Sequence, residues 1–91
     1  MSSQLDNLRR LVQRAERESF LLAGILARHR AANGLTEEEQ AAMLGTDAEG
    51  LVTIALCRAP RPEQFAEDVA AVARHVGANV EALAALVRQT Q

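Results

Sequence analysis

A chain of 91 residues, 48% of them hydrophobic, can fill one modest core but not two. Its net charge of -2 and pI near 5.6 lack the basic excess that accompanies nucleic-acid binding. One cysteine, Cys57, excludes an intrachain disulfide and a cysteine-built metal site, and no apolar run approaches the ~20 residues that cross a bilayer, so a reduced, cytoplasmic setting without a membrane contact is expected.

With two Phe and no Trp or Tyr, the core must be built from Leu, Val, Ile and Ala, which favours closely packed helices. The first element is carried by Leu5, Leu8, Val12, Ala15, Ser19, Leu22, Leu26 and His29, whose 3,4 spacing places them on one stripe. That spacing predicts one continuous helix over residues 5–32, stopped by Asn33 and Gly34, and roughly 42 Å long at 1.5 Å per residue. Phe20, Leu21 and Ile25 widen the stripe in its second half to a core-facing surface. Its first half is narrow and flanked by Arg9, Arg10, Arg14, Glu16, Arg17 and Glu18, the pattern of a short coiled coil or a docking helix. Residues 1–19 are therefore expected to form an extension for dimerisation or docking through Leu5, Leu8, Leu11, Val12 and Ala15. Residues 20–91 are expected to form the helical domain proper.

After Gly34, Thr36-x-x-Glu39 is a capping box that opens a short helix ending at Leu44 and Gly45. Thr46-x-x-Glu49 reads as a second capping box, opening a helix with Leu51, Ile54, Ala55 and Cys57 at helical spacing. Pro60 and Pro62 bound a linker, with Pro62 suited to the first turn of the next helix. There Phe65, Val69, Val72, Ala73 and Val76 share a face as far as Gly77. Asn79 is the expected N-cap of a last helix carrying Val80, Leu83, Ala84 and Val87. The expected class is all-α, with five helices and no strand.

Charge is segregated along these elements. Residues 1–33 hold six Arg against three acids, residues 34–57 hold five acids and no base, and residues 58–91 hold four of each. Glu37, Glu38 and Glu39 at one helix start, and Asp47 and Glu49 at the next, suit the positive end of a helix dipole. If the two short helices pack as neighbours, the five carboxylates fall on adjoining surface.

Catalytic chemistry is not indicated. There is no Gly-rich phosphate loop, no His-Glu-x-x-His pair, and no second thiol to act with Cys57, which is expected to be a structural thiol. His29 lies on the long stripe as a core or interface residue, and His75 has no carboxylates at metal-ligand spacing. No metal, cofactor or small-molecule ligand is expected.

The run GLTEEEQAAMLGTDAEGLVTIALC, followed by a Pro-bearing linker and FAEDVAAVARHVGANVEALAALV, resembles the Xre-type, phage-repressor-like helix-turn-helix family over about residues 22–87. The resemblance rests on Gly34, Leu35 and Thr36 at the entry, Ala41 and Leu44-Gly45, the apolar Leu51 and Ile54, and Val76-Gly77-Ala78-Asn79 before the final helix. It implies a compact five-helix domain, here with an extended N-terminal helix, in which the second helix of the motif reads DNA. The reading face departs from that pattern. Glu37 stands where the family commonly has a Gln that reaches the DNA backbone. The outward positions hold Asp47, Ala48, Glu49, Gly50, Val52 and Thr53, with no Arg for guanine and no Asn or Gln for adenine. Such an acidic face repels a polyanion.

The expected function is accordingly a non-catalytic protein-interaction module, or a small adaptor or regulatory subunit, that self-associates through its N-terminal helix and carries an acidic motif face of Glu37, Glu38, Asp47, Glu49 and Gly50. The alternative is a dimeric DNA-binding transcriptional regulator of the Xre type, or an antitoxin-like regulator, with Arg28, Arg30, Arg58 and Arg61 touching phosphates.

Overall fold

A computed structural model describes residues 3–90, with side chains from Asp6 onward. Helices α1 (Ser3–Ala15), α2 (Leu22–Asn33), α3 (Glu37–Met43), α4 (Ala48–Ala55), α5 (Phe65–Val76) and α6 (Val80–Thr90) follow in order, with a 3-10 turn at Pro62–Gln64 leading into α5. Among the described residues the extended pairing is a single antiparallel bridge, Leu21 with Arg58. The class is all-α as expected, with six α-helices among the described residues rather than five.

The extra helix comes from a break in the stripe. The expected continuous helix over residues 5–32 ends at Ala15, and α1 folds back against α4 and α2 instead of extending. Hydrogen bonds of the tighter i to i−3 kind close the turn, from Arg17 N to Arg14 O (3.1 Å), Glu18 N to Ala15 O (2.9 Å) and Leu21 N to Glu18 O (3.2 Å). Two further bonds tie this turn to the segment after α4: Leu22 N donates to Cys57 O (2.9 Å), and Ala59 N donates to Phe20 O (2.8 Å). The gain is burial, since Ala15 joins the core and Val12 packs against it. Gly24 makes the reversal possible, because a Cβ there would sit 2.9 Å from the Glu16 carbonyl oxygen.

The core is drawn chiefly from α2, α4, α5 and α6, with Ala15 of α1 and Ala41 of α3 joining it. Leu22, Leu26, Leu44, Ile54, Val69, Leu83, Leu86 and Val87 are fully buried, each stabilising the fold by about 1.5–3 kcal/mol relative to exposure. Helix α6 lies against both α2 and α5.

Local signals set the helix ends. The first capping box is formed: Thr36 N donates to Glu39 Oε1 (2.9 Å) and Glu39 N to Thr36 Oγ1 (3.1 Å). The second expected box is not. Asp47, one residue later than Thr46, is the N-cap of α4 and accepts from Gly50 N (2.8 Å). Both side chains are capable caps, and the turn selects Asp47. That turn passes through Gly45 at φ 75°, a left-handed conformation, and is pinned when Asn79 N donates to Leu44 O (2.8 Å). Asn79 also caps α6 as expected, accepting from Ala82 N (2.8 Å).

Candidate functional site

Helices α3 and α4 pack on each other across the turn at residues 44–47. Their N-termini present Glu37, Glu38, Glu39, Asp47 and Glu49, all exposed. Two of these carboxylates are committed locally, Glu39 and Asp47, as capping groups. Glu37, Glu38 and Glu49 form no ion pair among the described residues. The expected acidic face is therefore a solvated surface with three uncommitted carboxylates. Gly50 is half-buried within it. A Cβ at this position would overlap Thr46 Oγ1, so the glycine makes room for a side chain of its own turn.

The opposite face of α4 is not outward. Val52, expected among the exposed reading positions, is 6% exposed, and it lies beside the buried Leu51 and Ala55. Helix α1 provides the cover. A groove of about 220 Å³ runs between the two helices, lined by Arg9, Val12 and Gln13 from α1 and by Leu51, Val52 and Ala55 from α4, together with Glu16, Arg30 and Glu37. Val52 is an outward position in the helix-turn-helix register, and here α1 packs over that position.

This arrangement also redistributes the N-terminal stripe. Ala15 is buried and Val12 is packed against the core, while Leu8 is half-buried. Leu11 is 49% exposed. The side chain of Leu5 lies outside the described residues. Of the four described positions expected to meet a partner, Val12 and Ala15 are used within the chain itself, and Leu11 is the most open. Phe20, Met43, Leu56 and Val80 are further large apolar side chains left exposed, and the spacing argument had assigned Phe20 and Val80 to core-facing stripes.

The four Arg of the alternative reading are not equivalent. Arg30 is half-buried, with Nη1 donating to Gln40 Oε1 (2.8 Å) and Nη2 3.7 Å from Glu16 Oε2. Arg61 grips Asp68: its backbone N and its Nε both donate to Oδ2, at 2.9 and 3.0 Å, and Nη2 donates to Gln64 Oε1 (2.6 Å). The hydrogen bonds from Arg61 hold the Asp68 carboxyl below its usual range, and the same pair raises Arg61. Arg28 and Arg58 are exposed and outside these ion pairs.

The spacing argument missed a polar centre under this surface. Gln40 is fully buried; its Nε2 donates to Leu26 O (3.0 Å) and lies 3.1 Å from His29 Nδ1, while its Oε1 accepts from Arg30. The Arg30 and Leu26 bonds fix which end of the amide is oxygen. His29 Nδ1 must then be the acceptor, with the ring proton on Nε2. The available signal was register, since Gln40 precedes buried Leu44 by four residues and so shares its face.

Cys57 and His29 have separate partners. Cys57 Sγ donates to Thr53 O (3.2 Å), and burial pushes the thiol above its ordinary value. Among the described residues no group of three or more His, Cys, Asp or Glu side chains is placed to hold a metal ion, and no helix is long and apolar enough to cross a membrane. In comparisons with protein-family models, curated proteins and solved structures, nothing matches the chain.

Proposed function

We propose that the protein is a non-catalytic helix-turn-helix-like interaction module, an adaptor or small regulatory subunit, whose partner is a protein bearing a basic surface. The carrying observation is the seat of α1 on α4. With Val52, Leu51 and Ala55 buried, the charged groups exposed at the two helix starts are carboxylates: Glu37, Glu38 and Glu39 at α3, and Asp47 and Glu49 at α4. Such a surface repels phosphate and gives a cationic partner its orientation and on-rate. The Xre-type scaffold belongs to this proposal, supported by the Thr36 capping box, the Gly45 turn and the α3–α4 packing.

The competing reading, a DNA-binding regulator, draws on four Arg of which Arg30 and Arg61 are already held by carboxylates. Duplex DNA retention at about 50 mM salt separates the two, because electrostatic binding is strongest there. No retention is expected for the native protein. A variant with Glu37, Glu38 and Glu49 changed to Gln should keep its fold and bind a basic model protein such as a histone tail peptide more weakly than the native chain does. Native retention of the duplex, or basic-peptide binding unchanged by the three substitutions, refutes the proposal.

A further inference from the structure

The continuous helix encoded by the stripe and the folded-back arrangement differ in one short segment, residues 16–21. It contains neither Gly nor Pro, and Glu16, Arg17 and Glu18 are good helix formers. The 3,4 spacing runs through it without a phase shift, from Ala15 to Ser19 to Leu22. Tertiary contacts, namely the Leu22–Cys57 and Phe20–Ala59 backbone bonds and the seating of α1 on α4, hold it as a turn. Straightening the segment gives Leu22 N and Phe20 O helical partners and releases Cys57 O and Ala59 N. Phe20, in the middle of it, is 53% exposed and loses little by moving.

We infer that α1 is an exchangeable arm whose second seat is the α4 surface of another copy of this chain. In the exchanged state residues 16–21 become helical and join α1 to α2, and each α1 crosses to the groove of its partner copy. A second copy is the fitting occupant because its α1 brings the same residues to the same groove, Arg9, Val12 and Gln13 toward Leu51, Val52 and Ala55. Few new contacts have to be complementary; the cost is association, and the gain is a helical setting for the good helix formers of residues 16–21. The inference goes beyond the reading of the protein as a module for a basic partner by adding a second partner, another copy of this chain, and it is separable from the acidic surface, which exchange leaves unchanged.

The test is light scattering on the full chain across about 10 µM to 1 mM, where mass action reveals a dimer. A dimer that grows with concentration is expected. Ser19→Pro should lower the dimerisation constant at least about a hundredfold, because Pro breaks the joined helix in both copies. Ser19 N donates no bond in the turn, so the folded-back monomer should keep its helical circular dichroism. Ser19→Ala should raise the constant about fivefold, and Ser19→Gly should lower it severalfold, so the series stands even where the Pro variant fails to fold. A chain that stays monomeric throughout, or a dimer indifferent to these substitutions, overturns the exchange. Neither result bears on binding of a basic peptide by the carboxylates.

Discussion

Replacing Gln40 with Leu tests whether the buried amide is a structural centre or a tolerated accident. Leu has similar bulk and no polar atoms, so the substitution keeps the space filled while removing every hydrogen bond. His29, 4% exposed, then has an Nδ1 with no donor, at a cost of about 1–3 kcal/mol. Arg30 is partly exposed and keeps Glu16, so its lost bond costs about 1 kcal/mol. The added apolar burial returns about 1 kcal/mol. The net expectation is a loss of about 1–3 kcal/mol against a total stability of about 5–15 kcal/mol. Thermal unfolding should fall by about 5–20 °C for a domain of this size.

Urea unfolding followed by far-ultraviolet circular dichroism measures this directly. The diagnostic step is the double variant His29→Leu with Gln40→Leu, in which donor and acceptor disappear together. Removing both partners is far less costly than orphaning one, so the double variant should be more stable than the sum of the two single changes predicts, by about 1 kcal/mol or more. A Gln40→Leu change below about 0.5 kcal/mol, or strict additivity in the cycle, would refute the assignment of His29 Nδ1 as the acceptor of a needed bond.

Gly50→Ala should lower stability by about 1 kcal/mol although Ala is the better helix former, because the new Cβ overlaps Thr46 Oγ1 and sits 3.1 Å from Thr46 Cβ. Adding Thr46→Ala should recover the loss in the same urea titration, and a stabilised single variant counts against the packing argument. The Asp68 carboxyl is held low in the folded chain, so its pairing with Arg61 contributes fully above about pH 4 and is lost as pH falls through the folded value. Asp68→Asn should therefore be less stable than the native chain at neutral pH, with the gap narrowing as pH falls below about 4; a gap that widens in acid contradicts this. Because burial raises the Cys57 thiol, iodoacetamide should label it more slowly in the native protein than in denaturant at the same neutral pH. Equal rates would show that the thiol is not shielded.

The charge segregation in the sequence acquires its meaning from packing. The Arg-bearing α1 lies across α4, whose motif supplies the carboxylates, and Arg30 of α2 is drawn between Glu16 and Gln40. The groove between α1 and α4 therefore mixes Arg9 and Arg30 with Glu16 and Glu37. Mixed charge there suits the pairing of two helices of this chain. The carboxylates beyond it remain the single-sign surface that a cationic partner can use.

Local chemistry determined the helices and most of their ends. Thr36 with Glu39 and Asn79 act through side-chain bonds to amides three residues away at most, and Gly34, Gly45 and Gly77 through left-handed backbone, so each is legible in a few consecutive letters. The apolar spacing of the later helices was legible for the same reason, because a face repeats with the helical period. Whether the stripe from Leu5 to His29 is one helix or two was not, since residues 16–21 suit either and the choice depends on α4 and the segment after it, tens of residues away. From that one decision follow the burial of Val52, the internal use of Val12 and Ala15, and the exposure of Phe20. Gln40 likewise looks like an ordinary surface amide until Leu26, His29 and Arg30 close around it, because only the tertiary structure brings a buried amide its partners.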